Sequence, residues 1–144
     1  MNTPTKAKYS IQELKPLIIQ WANERNLIHY ENAEKQRLKL IEESGELASA
    51  ILKNDIDLQR DSIGDVFVVL TILEAQLKTD FEWVRSSHGL KSVWYNLQKV
   101  IESPIMYSGN LKNIAKKLNH DLTECANLAY SEIKNRKGKT INGT

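Results

Sequence analysis

Two short acidic segments carry the side chains of this chain best suited to chemistry: Glu42-Glu43-Ser44-Gly45-Glu46, and Asp61-Ser62-Ile63-Gly64-Asp65 fifteen residues further on. A helix turns about 100° per residue, so Glu43 and Glu46 stand roughly 60° apart, one turn from each other, and Asp61 and Asp65 share a stripe in the same way. Two helices laid face to face would bring these carboxylates to one point. Such an oxygen-rich cluster suits a hard divalent ion, Mg²⁺ or Mn²⁺, which binds carboxylates and keeps part of its water.

Acidic residues at helical spacing are also the ordinary composition of a solvated face. Burial separates the two cases. Asp65 shares its stripe with Val68, Val69 and Ile72, and Glu43 borders a face carrying Leu40, Leu47 and Ile51. A carboxylate in such a place is costly unless a cation compensates it or it takes a proton. The cation is either a bound metal or a neighbouring base. Lys39, near the Glu43–Glu46 stripe, can be that partner or can contact a substrate phosphate.

Other residues offer weaker signals. Lys134, Arg136, Lys137 and Lys139 fall in a stretch, 133–144, without a single acid; it reads as a phosphate-binding tail or as a solvated terminus. Trp21, His29 and Tyr30 precede the first acidic segment and could form a base-stacking wall, although aromatic residues so placed commonly belong to a core. The three histidines are scattered and no E-x-x-H occurs, which argues against a zinc hydrolase and against a ferritin-like di-iron bundle. Gly138-Lys139-Thr140 mimics the end of a P-loop but lacks the earlier glycine, and Asp55-Ile56-Asp57 starts like an EF-hand loop but continues with Gln59 and Arg60 where a ligand and a glycine belong. Cys125, the single cysteine, lies between Leu122 and Leu128 as a small core residue would.

The elements that must position these groups read as helices throughout. Ser10 and Glu13 make an S-x-x-E capping box before a run containing Ile11, Leu14, Leu17, Ile18 and Trp21, which predicts a helix to about Arg25. A second helix is expected over about 33–53, with Leu38, Ile41, Ala48 and Leu52 toward a core, broken by Asn54 and Asp55. A third begins near Asp57 and carries the run Val66–Leu73, apolar on every side and therefore deeply buried. Thr79 with Glu82 is another candidate capping box, followed by a face of Val93, Trp94, Leu97, Val100 and Ile101 that Ser103-Pro104 interrupts. Ser108 to Leu118 reads as helical, and Asp121 with Glu124 opens a last helix to about Asn135. No segment alternates at period two, so the fold class is all-α, a bundle of about five helices in one domain over 1–144, with the basic tail at about 134–144.

Composition fits. The chain has 144 residues, 41% of them hydrophobic and 26% charged, and a net charge of +2, too small to make nucleic acid the main partner. Six glycines and three prolines disfavour a turn-rich β architecture. No stretch reaches the roughly 18 apolar residues of a membrane span. The opening MNTPTKAKYS lacks the apolar core of a signal peptide, and a lone cysteine allows no internal disulfide, so a soluble cytoplasmic protein is expected.

At the acidic segments the sequence resembles the MazG-like, all-α nucleoside triphosphate pyrophosphohydrolases, whose motif is E-E-x-x-E on one helix and an acidic pair on the next. The resemblance extends to Trp21-Ala22-Asn23-Glu24-Arg25-Asn26-Leu27, to Lys39-Leu40-Ile41 before the acids, to Gly64-Asp65-Val66, and to the closing segment from Ala129 to Lys139, similar to the phage and bacterial branch. It covers most of the chain outside about 76–119. It implies Mg²⁺-dependent cleavage of a (d)NTP between its α- and β-phosphates, giving a monophosphate and pyrophosphate. By position Glu43, Glu46 and Asp65 match three metal-binding carboxylates. The family's E-x-x-D would place a Glu three residues before Asp65, where this chain has Ser62; Asp61 can reach the same face. The proton of the attacking water would pass to Glu42 or Glu46, and Lys39, Trp21, Lys134, Arg136 and Lys137 would contact the nucleotide. The resemblance also implies a core completed by dimerisation, in a homodimer or homotetramer, with which an all-round apolar third helix is compatible. The departure at Ser62 keeps a second reading open, a helical module that binds nucleotides or protein partners without turnover.

Overall fold

The structure, a computed structural model, describes residues 8–77 and 109–136. Within them the chain forms five α-helices and one turn of 3-10 helix at Tyr30–Asn32, with no strand: α1 Ile11–Glu24, α2 Ala33–Leu52, α3 Ile56–Leu77, α4 Gly109–Lys117 and α5 Leu122–Lys134. The capping box expected at Thr79 and Glu82, the face from Val93 to Ile101, the break at Ser103-Pro104 and the tail beyond Arg136 lie outside the described residues. No helix among those described is long and apolar enough to cross a membrane.

Local chemistry sets the helix ends. Ser10 Oγ accepts from the Glu13 amide while Glu13 Oε1 accepts from the Ser10 amide, at 3.1 and 2.8 Å, so the capping box closes in both directions. Asp121 caps α5 by accepting from the Thr123 and Glu124 amides. Three helices stop by one device. Asn26, Asn54 and Asn119 adopt the left-handed conformation just past α1, α2 and α4, at φ of 60°, 53° and 62°. In each case the next residue's amide reaches back to a carbonyl in the helix's last turn: Leu27 to Ala22, Asp55 to Ala50 and His120 to Ala115, at 2.8–3.0 Å. These are Schellman closures with asparagine in the place glycine usually takes. Asp55 then serves the next helix, its Oδ1 accepting from the Leu58 amide.

α3 is the centre of the fold, packed chiefly on α2 and α5 and also on α1 and α4. Val66, Phe67, Leu70 and Leu73 are completely buried, and α3 is buried on nearly every side from Ser62 onward. The run Val66–Leu73 is thus hidden within a single chain, and its apolar circumference needs no second copy to cover it. Cys125 is buried in the same core, and burial pushes its thiol up to about 12.

The inward face of α2 differs from the expected one. Leu38, Ile41 and Leu52 are 60%, 53% and 86% exposed, and Ala48 is only half-buried. Ala33, Leu40, Leu47 and Ala50 face the core instead, together with Gln36 and Ser44. α2 carries two apolar stripes of the same period. The one that turns inward is interrupted by polar residues whose needs the fold partly meets, as where Gln36 Nε2 donates to the Val69 carbonyl at 3.3 Å.

Candidate metal centre

Glu43 and Glu46 project from the fourth turn of α2, and Asp65 from the middle of α3. Packing of α2 on α3 brings one oxygen of each of these carboxylates within 4.8 Å of the others. Glu46 is exposed, while Glu43 and Asp65 are half-buried, so the cluster opens to solvent on one side and rests on the core on the other.

The three carboxylates crowd one another, with partial compensation from Lys39 and Arg136. Burial, with the charges of Asp65 and Glu46 added, pushes the Glu43 carboxyl up to about 7. Burial also raises Asp65, to about 6, helped by Glu132, Asp61 and Glu46 and opposed by Arg136. Lys39 reaches the edge of the cluster: its Nζ lies 2.9 Å from Glu42 Oε1 and 3.7 Å from Glu43 Oε2. It partners only one oxygen of Glu43. The other, Oε1, is buried and has no hydrogen-bond partner among the described residues. A buried carboxylate oxygen without a donor is a cost that a cation at that point removes. Oxygen donors alone, three carboxylates deep, fit Mg²⁺ or Mn²⁺ better than a softer metal.

The remaining residues singled out in the sequence divide by position. Glu42 is exposed and tied to Lys39. Asp61 stands outside the three-carboxylate cluster; burial and Asp57 raise its carboxyl, Arg60 lowers it, and its charge still reaches Asp65. Ser62, in the place of the resembling family's Glu, is buried, and its Oγ has no partner among the described residues. Trp21 is a strut: its Nε1 donates to the Ile133 carbonyl at 2.9 Å and the Arg25 guanidinium lies 4.3 Å from its ring centroid. Lys134 Nζ sits 5.7 Å from the Tyr130 ring. Arg136 lies close enough to Asp65 for its charge to act there. Lys137 falls outside the described residues.

One acidic residue near the cluster escaped the sequence reading. Glu132, on α5, is the charge that acts most strongly on Asp65. No spacing rule could have pointed to it, because its position depends on how α5 docks on α3, a contact between residues some sixty apart in the chain.

Among known proteins, the chain is similar to an uncharacterized 18.2 kDa protein in the rep-hol intergenic region of Haemophilus phage HP1 (strain HP1c1), with 49% identity over 70 residues. The match takes in 49% of this chain and 43% of that protein, so the chain spans less than half the length of the relative. No protein-family model matches the chain, and no solved structure does.

Proposed function

We propose that this protein is a metal-dependent nucleotide pyrophosphohydrolase of MazG-like fold that converts a (d)NTP and water to a (d)NMP and pyrophosphate. The observation that carries the reading is the convergence of Glu43, Glu46 and Asp65 within 4.8 Å, from two helices, with one Glu43 oxygen buried and unpartnered. A solvated acidic face has no reason to bury and crowd its carboxylates.

In this reading Glu43, Glu46 and Asp65 hold Mg²⁺, or Mn²⁺. When bound, the ion supplies Lewis-acid chemistry, neutralising phosphate oxygens and acidifying water. The residues of the chain do the rest. Exposed Glu46, or Glu42 when Lys39 releases it, accepts the proton of the attacking water. The P–O bond between the α- and β-phosphates breaks as the water oxygen bonds to phosphorus, and pyrophosphate leaves. Lys39 and Arg136, joined by Lys134 and Lys137 of the tail, offset the charge on the departing group. Trp21 contributes by fixing the end of α5 and, being only partly buried, by contact with the base.

The protein works in the cytoplasm in this reading, as a homodimer or homotetramer. Support for self-association comes from α2, where exposed Leu38, Ile41 and Leu52 recur with Gly45 and Ala48 at the 3-4 spacing of a helix–helix seam. A second reading, a module that binds nucleotide without turnover, is favoured by Ser62, which leaves α3 with one carboxylate in the cluster.

The test is incubation of the purified protein with a panel of (d)NTPs and Mg²⁺ or Mn²⁺, with pyrophosphate and orthophosphate assayed separately. Pyrophosphate release abolished by EDTA is the expected result. Orthophosphate release would place the scissile bond elsewhere. No release, with metal and nucleotide still raising the melting temperature, would favour the binding module.

A further inference from the structure

The net charge of +2 conceals an uneven distribution. Residues 13–132 hold eighteen Asp and Glu against fourteen Lys and Arg, whereas 1–12 and 133–144 together hold six Lys and Arg and no acid. The body of the chain is therefore acidic and its two end stretches are basic. A whole-chain charge near zero says little about a partner when the cations are gathered in this way.

The fold fastens one basic stretch to the other. The residues leading into α1 are clasped by Asn127 of α5: the Tyr9 amide donates to Asn127 Oδ1, and Asn127 Nδ2 donates to the Tyr9 carbonyl, both at 2.9 Å. Asn127 is itself held in place, since its Nδ2 also donates to the Thr123 carbonyl at 2.7 Å. The clasp sets the Tyr9 ring against that of Tyr130, edge to face, with centroids 5.9 Å apart. Each ring carries a lysine: Lys8 Nζ lies 5.4 Å from the Tyr9 centroid and Lys134 Nζ 5.7 Å from the Tyr130 centroid. Both lysines are exposed and both rings half-buried, and among the described residues neither lysine has an ion pair. In sequence the face continues into further cations, Lys6 on one side and Lys137 and Lys139 on the other.

We infer that this face, made by Lys8 and Tyr9 of the arm and by Tyr130 and Lys134 of α5, binds single-stranded nucleic acid. Unpaired cations beside aromatic rings suit a strand whose phosphates follow the lysines while its bases turn onto the rings; a duplex keeps its bases stacked inside and offers the rings nothing. The acidic body repels a polyanion, which confines it to the joined ends. The inference stands apart from the cation-binding reading of Glu43, Glu46 and Asp65, and Lys134 is the one residue of the face to which that reading also gives a part.

Fluorescence anisotropy of a labelled oligothymidylate of about 15 nucleotides, titrated with the full chain without divalent ions, tests it against the duplex of the same sequence. Expected is tighter binding of the single strand, weakening steeply with salt. Lys8→Gln/Lys134→Gln should cost about 10-fold or more at low salt and flatten the log–log salt slope by about 1.4, the share of two phosphates. Tyr9→Leu/Tyr130→Leu, with its melting temperature followed to establish that it folds, should cost about 5-fold or more. Lys53→Gln/Lys112→Gln removes two exposed lysines from elsewhere and should cost less than about 2-fold. No binding of the single strand by the wild type, equal affinity for the duplex, or an equal loss in the Lys53→Gln/Lys112→Gln control would each overturn the inference.

Discussion

The two acidic segments have a glycine in the same place, directly before their last acid, and the fold uses the two glycines in opposite ways. Gly45 lies on the open face of α2, where an added Cβ would meet nothing within 4 Å. Gly64 lies where α3 and α5 touch, and an added Cβ would run into the backbone of Cys125. The carboxylates beside them follow suit: Glu46 is exposed, Asp65 half-buried. The first segment is thus a surface that presents acids, the second a packing joint that positions one. Similar local sequence acquires different duties from what stands opposite it.

Four experiments bear on this contrast. The largest effect belongs to Asp65→Asn, which should cut metal-dependent pyrophosphate release by at least about 100-fold, since even outer-shell partners of metal ligands cost 10–100-fold. Its melting temperature in EDTA should hold or rise, because a crowded half-buried charge disappears. A fall in stability, with no activity to lose, would make Asp65 a structural ion-pair member instead.

Next comes Gly64→Ala. Backbone cannot step aside as a side-chain tip can, so α3 and α5 must separate; a loss of about 1–3 kcal/mol is expected in urea unfolding.

The third effect is of pH. Glu43 and Asp65 start from ordinary values of 4.5 and 3.8 and stand at about 7 and about 6 in the fold. The folded state therefore binds more protons than the unfolded one between those limits, and stability declines as pH rises. In EDTA the melting temperature should drop from pH 5 to pH 8, and Mg²⁺ should restore it most at the upper end. A flat profile in EDTA would show that the carboxylates are not crowded.

The smallest is Gly45→Ala. It should gain about 0.5–1 kcal/mol from helix propensity alone and leave metal affinity unchanged. Destabilisation would reveal that this face of α2 is covered, as self-association through Leu38, Ile41 and Leu52 would have it, and analytical ultracentrifugation of the variant would then show a lighter species.

Local rules carried much of the fold. Ser10 with Glu13, and Asp121 with Glu124, marked helix starts because capping is settled within four residues. Asn54 and Asp55 marked a break, though not the left-handed closure followed by a new cap that makes it. The pairing of Glu43 and Glu46 was legible for the same reason, being one turn of one helix. What spacing could not supply was decided between helices. α2 has two apolar stripes, and the one with Leu38, Ile41 and Leu52 reads as the better core until α3 is in place and takes Leu40 and Leu47. The all-round apolar third helix, compatible with a partner chain, is buried within the single chain, which leaves self-association to other surfaces. That the charge of Glu132 reaches Asp65 follows from the docking of α5 on α3, which no motif announces.

Diffraction at the manganese edge, from crystals grown with Mn²⁺, would examine the site itself. An anomalous peak at coordination distance from Glu43, Glu46 and Asp65 is the predicted result. Fully ordered carboxylates with no peak among them at millimolar Mn²⁺, or a peak only elsewhere on the molecule, would contradict it.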